Sequence, residues 1–161
     1  GNDTVIGNAS GDQLYGDAGA DVFHGGAGSD TLDGGQGDDT FVFAQGNGQD
    51  LVKDNSGSAD LMLFGAGINP LDLVISQNVN DLKLAIHGTS DQVTIQNWYT
   101  GGTANQTETI KAGDGSQLLN SQVDQLIQAM AQFSADNGMT WDQAIDQRPQ
   151  DVQTILAASW Q

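Results

Sequence analysis

The 161-residue chain contains no cysteine, which excludes a disulfide framework, a thiolate metal site and a cysteine nucleophile. Basic residues are scarce: Lys and Arg number 4 against 21 Asp and Glu, for a formal net charge of −17. Such a balance repels phosphate backbones and anionic lipid, so nucleic acid and membrane surfaces are excluded as partners. No apolar run approaches the roughly 20 residues that span a bilayer, and no basic-then-apolar stretch opens the chain. The signatures H-E-x-x-H, G-x-S-x-G and G-x-x-x-x-G-K-[ST] are missing, as is a Cys/His pair, so the chain is read as non-enzymatic. Glutamate is nearly absent as well. Among the 21 acidic residues only Glu108 is Glu; all the others are Asp. Asp is the short carboxylate that fits turns and reaches ions held close to the backbone. Together with 22 Gly, it points to carboxylates placed in tight loops.

Aligned in nines, the first 42 residues read GNDTVI, GNASGDQLY, GDAGADVFH, GGAGSDTLD and GGQGDDTFV. The sixth place is Asp in every copy: Asp3, Asp12, Asp21, Asp30 and Asp39. The eighth is always apolar: Val5, Leu14, Phe23, Leu32 and Phe41. A flexible Gly/Asp linker would not keep apolar residues in phase, so these are structural repeats. Asn8 and Asp17 stand where the pattern has its second Gly, and both types tolerate a left-handed backbone. Ser10 replaces the fourth-place Gly and is the larger departure.

These nonapeptides match the known calcium-binding pattern G-G-x-G-x-D-x-U-x. On them, residues 1–42 resemble the repeats-in-toxin (RTX), or haemolysin-type calcium-binding, family. The stretch running through FVFAQGNGQDLVKD and GSADLMLFGAGINPLDLVIS to DQVTIQNWY, out to residue 99, resembles the segment that commonly follows such repeats. The resemblance implies a mainly all-β fold: a parallel β-roll, a β-helix-like solenoid, with a β-rich cap and a small C-terminal α-helical segment. Boundaries are expected at 1–60 for the roll, 61–118 for the cap and 119–161 for the helical segment, a candidate secretion signal.

In a β-roll, six residues turn and three form a strand, so two nonamers complete a coil and residues eighteen apart stack about 4.8 Å from one another. Calcium takes six to eight oxygens at about 2.3–2.6 Å, so an ion between two stacked carboxylates reaches both. The stacked pairs are then Asp3 with Asp21, Asp12 with Asp30, and Asp21 with Asp39. The family resemblance adds loop carbonyls. Gly7, Ala9, Gly16, Ala18, Gly25 and Ala27 fall at the first and third places. Gly19, Gly26, Gly28, Gly35 and Gly37 fall at the second and fourth. Asp50, Asp54 and Asp60 occupy places where similar chains close the last sites. Several Ca2+ ions are therefore expected. Without them the stacked carboxylates repel, so binding is expected to drive folding.

Beyond the repeats, LDLVIS, DLKLAI and DQVTIQ alternate as strands do. From Ser121 the period becomes helical through Val123, Leu126, Ile127, Met130 and Phe133. Ser121 with Asp124 marks a start and Asn137-Gly138 a stop; Thr140 with Gln143 forms a capping box, and Pro149 opens a last helix. A cap over the final coil is expected to bury Phe41, Phe43 and Leu51. His24 and His87 are read as surface residues, and Trp98, Trp141 and Trp160 as packing anchors.

As the resemblance implies, the chain is the C-terminal RTX region of a larger bacterial protein that binds calcium and folds after type I secretion. The expected location is extracellular or at the cell surface, and the expected partner is the type I secretion apparatus. Two alternatives stand beside this: a calcium-dependent adhesin or carbohydrate-binding module with a glycan ligand, or a stabilising appendage of an upstream protease or lipase.

Overall fold

The computed structural model describes residues 1–161. Seven strands follow the repeats and their continuation: β1 (Thr4–Ile6), β2 (Gln13–Tyr15), β3 (Val22–His24), β4 (Thr31–Asp33), β5 (Thr40–Phe43), β6 (Gln49–Lys53) and β7 (Leu61–Phe64). Five more complete the β part: β8 (Leu73–Asn78), β9 (Asp81–Ile86), β10 (Gln92–Ile95), β11 (Thr109–Lys111) and β12 (Gln117–Leu119). Three helices end the chain: α1 (Asn120–Asn137), α2 (Trp141–Gln147) and α3 (Pro149–Ala157). Successive repeat strands alternate between two sheets, ordered β1-β3-β5-β7-β11-β12 and β2-β4-β6-β10-β9-β8. The repeat strands pair in parallel. This is a β-roll, with its sheets extended by strands from later in the chain.

The eighth-place residues set the register. Val5 pairs with Phe23 and Phe23 with Phe41 on one sheet, and Leu14 with Leu32 on the other. A strand sends alternate side chains to opposite faces, so one residue in each three-residue strand turns inward. The Phe23 and Phe41 rings stack with centroids 5.2 Å apart. Longer loops then carry the register on, from Leu32 to Val52 and from Phe41 to Met62. Phe41 and Phe43 are buried as expected, but Leu51 is not the inward residue of its strand. Val52 is. Leu51 follows Asp50 directly and takes the outward seventh place, where it is half-buried.

The cap is antiparallel where the roll is parallel. β8, β9 and β10 form successive antiparallel pairs, and β10 joins them to β6 in parallel. The strand expected from Leu71 begins at Leu73, because Pro70–Asp72 form a 3-10 turn in which Asp72 Oδ2 accepts from Asn69 N at 2.8 Å. On the other sheet β11 pairs with β7 in parallel and with β12 antiparallel. β12 runs straight into α1. The cap position of that helix is therefore Leu119, not Ser121, and Gln122 Oε1 accepts from Leu119 N at 3.1 Å. Gly138 ends it at φ 64°, the left-handed conformation that glycine adopts without strain. Thr140 and Gln143 exchange both capping-box bonds, at 2.9 and 3.2 Å. One hydrophobic cluster of 28 buried residues runs from Phe23 to Trp160 and includes all three Trp.

The two histidines differ. His24 is exposed. His87, expected on the surface, is held between two carboxylates of α2: Nδ1 lies 2.9 Å from Asp142 Oδ1 and Nε2 lies 3.0 Å from Asp146 Oδ1. The i, i+4 spacing of the two Asp places them on one face of the helix, so one ring bonds both. Sequence reading missed this because the partners lie more than fifty residues away.

Candidate calcium centre

The sixth-place carboxylates form two columns. On one side, Asp21 Oδ1 accepts from Asp3 N at 2.6 Å, Asp39 Oδ1 from Asp21 N at 2.9 Å, and Asp60 Oδ1 from Asp39 N at 2.7 Å. On the other, Asp30 Oδ1 accepts from Asp12 N at 2.8 Å and Asp50 Oδ1 from Asp30 N at 2.9 Å. The structure thus brings together all three stacked pairs and adds Asp50 and Asp60 to the columns. Each bond uses one carboxylate oxygen to fix its Asp against the coil before it.

The second oxygen is what a cation would use. Asp21, Asp30 and Asp39 are at most 2% exposed, and the Oδ2 of each is buried with no hydrogen-bond partner. An orphaned charged oxygen in a protein interior is costly, so it marks a place for a proton or an ion. The loop glycines shape the space around it. A Cβ added at Gly16 would stand 2.5 Å from Asp21 Oδ2, and one at Gly25 would stand 2.6 Å from Asp30 Oδ2. Short carboxylates and backbone carbonyls form an all-oxygen donor set, which suits calcium and lacks the nitrogen or sulfur ligands of transition metals. The residues present fit the ion.

The electrostatics agree. Burial raises Asp39 above its ordinary 3.8, with the Asp21 charge adding to it. Burial, with the Asp30 and Asp91 charges, pushes Asp50 up to about 6. Asp54 and Asp60 are both raised, first by burial and then by neighbouring carboxylates, Glu108 among them. All four cations of the side-chain inventory leave these groups alone: the ion pairs link only the N-terminus with Asp3, His87 with Asp142 and Asp146, and Arg148 with Asp151.

The carbonyl positions are less uniform. Gly26 and Gly35 sit at φ 97° and 92°, and a Cβ at either would run into the carbonyl of Asn8 or Asp17 in the preceding coil. Only glycine allows the coils to stack this closely. Asp17 itself takes φ 66°, the left-handed backbone expected of it; Asn8 does not. Carbonyls of Gly26, Gly28 and Gly35 accept from the next coil, from Asn47 Nδ2, Gln49 N and Ser56 Oγ respectively. Gly19 and Gly37 approach each other across coils. Gly16 accepts from Ala18 N at 3.0 Å, and Ala18 accepts from the N-terminus. A carbonyl has two lone pairs, so these bonds leave one each. Gly7 and Ala9 belong to a loop built differently. There Asp12 Oδ2 accepts from Asn8 N at 2.8 Å and Oδ1 from Asn8 Nδ2 at 3.1 Å, while Asn8 Oδ1 accepts from Ser10 N at 3.0 Å. The loop with Ser10 spends its carboxylate on itself, and Asp12 has no orphaned oxygen. Gly25 and Ala27 lie one coil further on, in the loop that ends at Asp30.

Three acidic residues enter the site region unannounced by the repeat pattern. Glu108 Oε2 accepts from Asp60 N at 2.8 Å. Asp91 accepts from Gly46 N at 2.7 Å and Gly48 N at 3.1 Å. Asp38, held below its ordinary value first by the Ser58 backbone bond, anchors the loop at Ser58 and Ala59. No periodicity marks them. The one available signal was that Glu108 is the chain's only Glu.

Comparison with known families matches this geometry. The RTX calcium-binding nonapeptide repeat family, in 4 copies, matches residues 1–32 and 15–50. The haemolysin-type calcium binding protein related domain matches residues 81–122. No curated protein matches the chain. With its repeat register, stacked carboxylates and family match in hand, residues 1–50 of the chain are RTX haemolysin-type calcium-binding repeats.

Proposed function

We propose that this region couples calcium to folding at the C-terminal end of a larger secreted protein. In this reading the chain passes the type I secretion apparatus unfolded, where calcium is scarce, and folds outside, where calcium is abundant. The observation that carries it is the row of buried, unpartnered Oδ2 atoms on Asp21, Asp30 and Asp39. Two carboxylates about 5 Å apart repel by roughly 1 kcal/mol in water and by about 3 kcal/mol at an effective dielectric near 20. Repeated along a column, that repulsion opposes the coil until ions bridge it. Ion binding is then folding free energy. Residues 1–60 supply most ligands, residues 61–118 cap the roll, and residues 119–161 close its end and carry the secretion signal. The role is structural; no catalytic step is assigned to the region. Trp98, Trp141 and Trp160 are buried, which leaves Tyr15 as the one exposed aromatic ring on which a sugar could stack, so the adhesin reading is the weaker one.

Circular dichroism checks this directly. Titrating the chain with calcium should turn a coil spectrum into a β-rich one at submillimolar to millimolar ion. Magnesium at equal concentration should not, because it demands a small octahedron and keeps its waters. Equal responses to the two ions would overturn the reading.

A further inference from the structure

A cavity of about 450 Å3 lies where the end of the chain closes against the cap. Three segments far apart in sequence wall it: the turn before β8, the turn between β11 and β12, and α3 with the residues just after it. Backbone bonds fix these walls. Gly113 N donates to Ile68 O at 2.7 Å, which holds the β11–β12 turn against the loop before β8. Gln117 and Gln161 exchange backbone bonds at 2.7 and 2.9 Å, which tie the residues after α3 to β12. α3 itself packs on the Pro70–Asp72 turn. The volume falls in the range of about 300–1,000 Å3 typical of small-molecule sites. No residue of the carboxylate columns lines it.

The lining selects among ligands. Pro70, Leu71, Leu156 and Ala157 give apolar walls, and Trp160 joins them. The Trp160 indole N–H is sealed from solvent without a partner, so any indole surface that reaches the cavity is carbon. Asp114 is the one charge in the lining. Its Oδ1 accepts from Ser116 N at 2.8 Å, and no Lys, Arg or His pairs with it. Arg148, the one basic residue of the helical segment, is committed to Asp151 at 2.7 Å.

These features exclude most occupants. An anion would meet Asp114 in a chain whose net charge is −17. A neutral apolar molecule would strip water from the carboxylate and return no bond, which is costly. A metal ion would find a single carboxylate, since nowhere do three acidic or histidine side chains converge to hold one. An ammonium group on an apolar body meets both requirements, with its charge at Asp114 and its body against the walls. A cleft in an acidic protein also focuses the field and concentrates cations. Asn69, Ser116 and Gln153 supply neutral oxygen acceptors for the remaining N–H groups.

We propose that this cavity is a binding site for a small organic cation, an ammonium group carried on an apolar body. The walls meet only in the folded chain, so the ligand binds that state alone and stabilises it by mass action.

Isothermal titration of the full chain in saturating calcium, at physiological ionic strength, tests this with hexylammonium as the probe. Hexanol and hexanoate, which keep the apolar body without the positive charge, are the comparisons. Hexylammonium should bind at one equivalent and raise the unfolding temperature. Hexanol should bind several-fold more weakly, and hexanoate not at all. Asp114→Asn keeps an oxygen to accept from Ser116 N, and should weaken hexylammonium several-fold and remove its advantage over hexanol. Ala157→Trp fills the cavity without altering the charge of the chain, so it should abolish binding. Binding that persists in Ala157→Trp is attraction to the acidic surface as a whole and overturns the site. Should circular dichroism show that Ala157→Trp does not fold, Asp114→Asn decides, and an unchanged affinity there overturns the site. An unaltered chain that does not bind millimolar hexylammonium overturns it as well.

Discussion

At the residue scale, the sixth-place aspartates are not equivalent, although the sequence writes them identically. Asp21 is fully buried in mid-column, bonded to Asp3 N above and bonding to Asp39 below. Asp3 is exposed at the end of the column. Replacing Asp21 by Asn should therefore raise the calcium midpoint of folding several-fold, whereas Asp3→Asn should shift it little. Calcium titrations followed by circular dichroism compare them, and equal midpoints would contradict the column. The stacking of these residues was legible because a nine-residue period fixes which side chains lie eighteen apart. What was not legible is the self-bonded loop at Asp12, where Asn8 and Ser10 replace glycines and redirect the carboxylate. That outcome depends on hydrogen bonds among Asn8, Ser10 and Asp12, which no spacing encodes. Glu108 was hidden for a different reason: it lies 48 positions beyond its partner Asp60.

At the scale of elements, the last repeat strands are covered by later segments of the chain. Phe41 is in register with Met62, and the Phe43 and Phe64 rings meet edge to face at 5.8 Å. A fully buried large side chain contributes about 1.5–3 kcal/mol, so the few inward residues of the repeats cannot offset the ordering of some forty others. A chain ending after residue 60 should stay unfolded at calcium concentrations that fold the whole chain. Folding at the same midpoint would show that the later segments are not a cap. The helices are attached by a second device, the His87 ring between Asp142 and Asp146. Bonds to those two carboxylates raise its pKa above the ordinary 6.5. A raised histidine value means the contact stabilises fully below pH 6.5 and loses its effect as pH rises through the raised value. Thermal unfolding in saturating calcium should show a loss of stability across that window, and His87→Gln should flatten it. An unchanged profile in the variant would place the pH dependence elsewhere. Helix stops and capping boxes were readable from local chemistry, as at Gly138 and Thr140. The start of α1 was not, since the end of β12 sets it and not a polar cap.

For the whole molecule, the net charge of −17 and the scarcity of basic residues have one physical consequence. The folded state gathers carboxylates that the chain itself does not neutralise, which is why the proposed function counts a cation as part of the fold. The fold class and the stacked carboxylates were visible in the sequence for the same reason: the repeat that builds the coil is the repeat that places the aspartates. The antiparallel cap, the long-range partner of His87 and the closure of one column by Glu108 were not visible, because each joins segments that no period connects. Small-angle scattering in excess chelator and then in calcium measures the central claim most directly. A compact chain of 161 residues has a radius of gyration of about 15 Å, and an unfolded one about 42 Å. The radius should be far above the compact value in chelator and should fall to about 15 Å when calcium is added. A compact radius in excess chelator would contradict the account.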